Sequence, residues 1–264
     1  MTSVADVLST ARSTATGAVI GYLPIGFPDF ATSVDAAVAL VDNGVDVLEL
    51  GIPYSDPVMD GPVIQAASQV ALSQGFRLRQ AFDAVKAIRA RVDAPILIMT
   101  YWNPVLRFGV ERFADELVAA GASGLITPDL IPDEAAEWLA TSERTGLDRV
   151  FLAAPTSSDE RLTRVSEVSR GFVYAVSTMG TTGERNDVDR AARTLVGRLR
   201  EHGSSFVCVG VGISNPVHVA EVLCYADGAI VGSALVKALA EGGVSRVGAT
   251  AQALANGKSR RQEV

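Results

Sequence analysis

Cysteine, histidine and tryptophan each occur only twice in the 264 residues. Cys208 and Cys224 read as small buried hydrophobes of a reducing compartment, not as a disulfide framework. His202 and His218 are far apart and have no cysteine or histidine at ligand spacing, so nothing marks a zinc or iron site. Positive charge is also sparse: 23 Lys and Arg face 30 Asp and Glu, for a net charge of -7. Apart from Lys258 to Arg261 there is no basic run, so the electrostatic footprint of nucleic-acid binding is missing. That does not exclude a phosphorylated substrate, because backbone N–H groups hold phosphate without net positive charge. No segment approaches the ~18 unbroken apolar residues of a membrane span. The start lacks the charged-then-apolar pattern of a signal peptide. These absences predict a soluble cytoplasmic protein.

What is present is alternation. Apolar runs of strand length recur at Ala18–Pro24, Val45–Leu50, Ala94–Tyr101, Gly124–Thr127, Arg149–Ala154, Gly171–Val176, Phe206–Val209 and Asp227–Val231. Helical patterns lie between them, several ending at a glycine such as Gly44, Gly121, Gly146 or Gly203, the left-handed stop signal. Thr32 or Ser33 is the expected cap of the helix after the first strand. Eight strand–helix units in this length predict a single (β/α)8 barrel over residues 1–264, with no linker or composition shift to divide it. An additional helix from Val4 to Arg12 is expected to close its bottom. The competing doubly wound sheet lacks its fingerprint, since no G-x-G-x-x-G follows the first strand.

One stretch carries the chemistry: Val45-Asp-Val-Leu-Glu-Leu-Gly-Ile-Pro-Tyr-Ser-Asp-Pro-Val-Met-Asp-Gly-Pro62. It opens as a strand whose period of two puts Val45, Val47 and Glu49 on one face and Leu48 and Leu50 on the other. Glu49 lies near the end of a largely apolar strand, where a carboxylate is costly to bury unless paired, hydrogen-bonded or neutral. The following loop adds Asp56 and Asp60. Taken alone, the stretch also fits a structural glutamate and two turn-forming aspartates. In a barrel, however, active sites form at the C-terminal strand ends. Glu49, Asp60, Tyr101 and Tyr174 all fall on that rim.

The loops after the last three strands carry Gly180-Thr-Thr-Gly183, Gly210-Val-Gly-Ile-Ser214 and Gly232-Ser233. Ser233 opens a helix, where N–H groups and the helix dipole favour an anion. Turn glycines and a serine cap would read the same way, but all three loops fall where barrel enzymes hold phosphate. The long polar connection from Ser177 to Asp187 reads either as a lid or as a plain connection. Lys86, Lys237 and Lys258 read as helix or tail positions, so no lysine stands out for imine chemistry. Proton transfer by two carboxylates, as acid and base on a small phosphorylated substrate, is left to do the work.

Leu48 to Pro62 resembles the signature of the tryptophan synthase alpha subunit family. The resemblance continues through Gly21–Asp29, Met99–Pro104, Thr127–Pro132, Gly180–Gly183, Gly210–Ile213 and Gly232–Ser233, in order along the whole chain. The Tyr-Trp-Asn-Pro and Ser-Thr-Met-Gly segments are most similar to actinobacterial members. The resemblance implies retro-aldol cleavage of indole-3-glycerol phosphate to indole and glyceraldehyde 3-phosphate. It implies Glu49 as general acid/base and Asp60 as the carboxylate stabilising charge on the ring N–H. Tyr174 would line the site. Gly183, Gly212, Gly232 and Ser233 would cradle the phosphate, and Thr182 would sit on a lid that meets Asp60. It implies no cofactor in this chain, and a pyridoxal-phosphate beta subunit that receives indole through a tunnel in an alpha2beta2 assembly. Pro53, Asp56, Asn103 and Pro104 would face that partner. Met59 and Val211 depart from the family pattern at the pocket. A stand-alone lyase, or a weakly active activator of the beta subunit, are the alternative readings.

Overall fold

The structure is a computed structural model that describes residues 2–176, 185–210 and 212–258, with backbone alone for 185–189. The chain opens with α1 (Val4–Ser13), β1 (Ala18–Pro24), α2 (Phe30–Asp42) and β2 (Val47–Gly51). Then come α3 (Pro62–Ser73), α4 (Arg79–Arg89), β3 (Ile96–Met99), α5 (Trp102–Phe108), α6 (Val110–Ala120) and β4 (Gly124–Ile126). A short 3-10 turn, Pro132–Glu134, precedes α7 (Ala136–Thr145), β5 (Asp148–Val150) and β6 (Leu152–Ala153). The chain continues with α8 (Asp159–Val168), β7 (Val173–Val176), α9 (Arg185–Glu201) and β8 (Val207–Gly210). It finishes with α10 (Pro216–Leu223), β9 (Gly228–Val231) and α11 (Ser233–Ala255).

All named strands pair in parallel, in the order β5-β4-β3-β2-β1-β9-β8-β7-β6. The two ends of that order are the two halves of the expected fifth strand, interrupted at Phe151. β5 pairs with β4 and β6 pairs with β7, so the broken strand closes the ring. The expected eight-stranded barrel is therefore present as nine segments.

Two apolar layers hold it. Inside, Ile20, Val47, Leu97, Ile126, Phe172 and Cys208 meet Val4 and Leu8 of α1, which plugs the bottom as expected. Outside, Leu48, Leu50, Ile96 and Ile98 pack under the helices. Val47 and Leu48 thus face opposite layers, as period two requires. Val45 does not share the face of Val47. It precedes β2, its N–H donates to Leu40 O, and it belongs to the outer layer.

Several helix boundaries differ from the sequence reading. Asp29, not Thr32 or Ser33, caps α2, accepting from the Thr32 N–H at 2.8 Å. Ser33 lies inside the helix and its hydroxyl takes the Gly26 N–H at 3.0 Å. Two helices, α3 and α5, were not expected. α3 starts with Pro62 in its first turn, a position where the missing N–H costs nothing. α5 shortens the third strand, so Tyr101 caps that helix instead of closing β3. The two closing helices, by contrast, are present as expected: α11 is two helical stretches joined across non-helical backbone at Gly242 and Gly243.

Candidate active site

The C-terminal strand ends open onto a cavity of about 390 Å3. Glu49, Asp60 and Tyr174 line it, and so do Gly212, Gly232 and Ser233. Six of the nine expected site residues therefore share one space. Tyr101 stands behind its wall. Thr182 and Gly183, with the rest of Ser177–Glu184, lie outside the described residues, as does Val211.

Glu49 comes from the middle of β2 on the inner face, 1 % exposed. Its register partners are Tyr22 on β1 and Leu97 on β3. Its Oε2 is buried with no hydrogen-bond partner among the described residues. A buried carboxyl oxygen without a partner favours the neutral form. Burial, followed by the nearby charge of Asp60, raises the Glu49 pKa to about 8. A carboxyl that titrates there can give a proton and take it back near neutrality.

Asp60 is placed by the loop after β2. The Asp60 N–H donates to Pro57 O at 3.0 Å, and Gln65 Nε2 of α3 donates to Asp60 O at 2.9 Å. Asp60 is half-buried. Burial raises its pKa to about 6, against the pull of a hydrogen bond from Tyr101. It is ionised at pH 7. Tyr101 also accepts the Met59 N–H at 2.8 Å, so one phenol anchors two successive loop residues. Tyr54 stacks on Tyr101 at 5.1 Å, and Asn103 Nδ2 donates to Tyr54 Oη at 3.2 Å.

Two features escaped the sequence. Tyr22 lines the cavity beside Glu49. Its signal was a polar ring on an inward position of β1, readable only once β1 is set beside β2. Lys237 also lines the cavity, from α11. It is a helix residue, as read, but sits four positions after Ser233, on the same helical face. Met59 borders both this cavity and a second one of about 280 Å3 near α8.

The opposite wall suits an anion. α11 begins at Gly232 with no side-chain cap, which leaves the Ser233 and Ala234 N–H groups without intrahelical partners. Gly212 has φ of +63°, a left-handed conformation that glycine adopts freely.

Fold and cavity together define a (β/α)8 barrel whose strand-end cavity holds one carboxyl that stays protonated near neutrality and one that ionises, across from glycine-bearing loops and an uncapped helix start. A sequence model of the family described as "Tryptophan synthase alpha chain" matches residues 8–263. The chain is 68 % identical to the tryptophan synthase alpha chain of Leifsonia xyli, over 98 % of this chain and 100 % of that one. It is 54 % identical to that of Mycobacterium avium, over 97 % and 94 %. It superposes on a tryptophan synthase structure from Mycobacterium tuberculosis with TM-score 0.92 and 51 % identity, covering 98 % and 99 % of the two chains. A tryptophan synthase complex from Pyrococcus furiosus gives TM-score 0.83 at 37 % identity, covering 91 % and 98 %. The chain belongs to the tryptophan synthase alpha chain family, on its actinobacterial side.

Proposed function

We propose that Glu49 and Asp60 perform the lyase half-reaction of this family, the retro-aldol cleavage of indole-3-glycerol phosphate. Neutral Glu49 gives its proton to the indole carbon that bears the side chain. The ring nitrogen becomes positively charged, and ionised Asp60 stabilises its N–H. Glu49, now a carboxylate, takes the proton of the side-chain hydroxyl beside the breaking bond. The carbon–carbon electrons return to the ring, indole leaves, and the hydroxyl carbon becomes the aldehyde of glyceraldehyde 3-phosphate. The proton count of Glu49 is unchanged over the cycle.

One observation carries this assignment: two carboxyls in one cavity whose surroundings separate their pKa values, about 8 for Glu49 and about 6 for Asp60. Environments that push paired titrating groups apart divide acid from base roles. Tyr174 and Tyr101 shape the indole end, and Gly212, Gly232 and Ser233 receive the phosphate, with Thr182 and Gly183 assigned by resemblance alone. The enzyme acts as a single catalytic domain over residues 1–264 in the cytoplasm. Among the described residues no helix is long and apolar enough to cross a membrane.

Alpha chains of this family hold no cofactor and work with a beta subunit, which carries pyridoxal phosphate, in an alpha2beta2 assembly. The partner-facing surface is the rim bearing Asp56, Asn103 and Pro104 with Pro53 behind it. Val58 and Leu106, 79 % and 51 % exposed, place apolar area there. The test is glyceraldehyde 3-phosphate release from indole-3-glycerol phosphate, with and without a beta subunit. Slow release that rises steeply with the partner supports the reading. Fast release indifferent to the partner makes the chain a stand-alone lyase, and no release in either case overturns the assignment.

A further inference from the structure

We propose that Lys237 is the cation that binds the substrate's phosphate, reaching back along α11 to an anion seated at the first turn of that helix. The inference rests on the lyase reading above and adds a charged group to a cradle otherwise built from glycines, serines and backbone N–H groups.

Geometry comes first. Ser233 and Lys237 are four residues apart on α11, so they lie on one helical face one turn apart. Helical side chains lean toward the N-terminus, which carries a lysine stem over the turn before its own. Both residues line the same cavity, with Gly212, Ser214 and Gly232.

Charge balance asks for such a group. A phosphate monoester brings about -1.5 to -2 charges. It enters a cavity that already holds the ionised Asp60, in a chain of net charge -7. A helix N-terminus offers the equivalent of only roughly half a positive charge. Among the described residues, Lys237 is the one lysine or arginine that lines this cavity.

The lysine is also only loosely engaged. Its Nζ stands 3.8 Å from Glu241 Oε1, with the side chain 68 % exposed. The other oxygen of Glu241 is held by Arg246 at 2.8 Å. An exposed i,i+4 pair of this kind is worth little, so turning the ammonium toward phosphate costs little. Lysine suits the task, as a compact charge on a flexible stem.

The experiment compares wild type, Lys237→Met and Lys237→Arg, each assembled with a beta subunit. In Lys237→Met the KM for indole-3-glycerol phosphate should rise about 10- to 100-fold, the value of one charge-assisted contact, while kcat stays within about threefold. Lys237→Arg should recover most of that loss. Calorimetric titration with inorganic phosphate should show a parallel weakening in Lys237→Met. This second readout needs no turnover, so it judges Lys237 even if the lyase assignment fails. A Lys237→Met enzyme with wild-type KM and wild-type phosphate affinity would overturn the proposal and leave Lys237 as a surface partner of Glu241. A fall in kcat with KM and phosphate affinity unchanged would overturn it as well.

Discussion

Tyr22 lies across Gly51, with its hydroxyl in the space that a β-carbon at residue 51 would need. β1 and β2 pair Tyr22 with Glu49, two residues before Gly51, so the ring covers the strand end on the rim side of the carboxyl. Tyr174 repeats the device over Gly210, where an added β-carbon would stand 2.6 Å from its Oη. The cover keeps water from Glu49, and burial is the main cause of its raised pKa. Gly51→Ala should push the ring aside, lower the Glu49 pKa from about 8 and slow cleavage. Tyr22→Phe keeps the ring and should retain most activity. The alkaline limb of the kcat–pH profile reads the difference: it should move down in Gly51→Ala and hold its place in Tyr22→Phe.

Glu49→Gln should abolish cleavage and yet stabilise the fold at alkaline pH. The Glu49 pKa is raised from 4.5 unfolded to about 8 folded, so the folded chain holds that proton more tightly. Its favourable contribution is complete below pH 4.5 and is lost as the pH rises through about 8. Glutamine removes this loss, and wild type should fall behind the variant by on the order of 4–5 kcal/mol at pH 8.5. Denaturant unfolding of both proteins at pH 5 and pH 8.5 checks it. An equal gap at the two pH values would count against a neutral, buried Glu49.

Turnover should follow a bell between the two carboxyl values. Below about 6 Asp60 takes up a proton and stops stabilising the ring N–H, and above about 8 Glu49 loses the proton it must donate. Asp60→Asn should lower kcat by roughly two to three orders of magnitude, as when one preorganised electrostatic group is removed. What activity is left should lack the acidic limb. Persistence of that limb in Asp60→Asn would assign it to another group.

Tyr101→Phe should shift the acidic limb upward. The phenol holds the Asp60 pKa down through a hydrogen bond, so its loss lets burial raise that pKa further. The Met59 N–H also loses its acceptor, and the loop after β2 loosens. Tyr54→Ala removes the ring stacked on Tyr101 and the hydroxyl that takes Asn103 Nδ2. Its effect should be larger on stimulation by the beta subunit than on the basal rate. Rates with and without the partner separate the two.

Much of this arrangement can be read from the residues because barrel strands bury both faces and barrel chemistry gathers at one end. Glu49 stood out as the acid toward the far end of a largely apolar strand, and the glycines at 212 and 232 marked where a backbone could approach an anion. What escaped depends on contacts between distant segments. Tyr22 becomes a site residue only through its register with β2. The helix α3 was hidden because Ala67, Ser68 and Ala71 make a weak buried stripe and Pro62 reads first as a loop residue. The burial of Asp60 is hidden for the same reason. Gln65 and Tyr101 fold its loop down onto the barrel, and neither contact shows in local sequence. The break at Phe151 leaves no period to detect, since β5 and β6 are only 3 and 2 residues long.

The ring closes between its first strand and its last, and this has a cost at birth. Ala18 pairs with Gly228, 210 positions later. On a ribosome adding roughly 5–20 residues per second, β1 waits about 10–40 s for that neighbour. Throughout, the β1 edge over Ala18–Gly21 waits unpaired, the kind of template on which strands of other chains add. The enzyme is therefore exposed to mispairing until almost its last helix is made. Chaperone demand during synthesis should track the emergence of residues 228–231 rather than the total length of the chain.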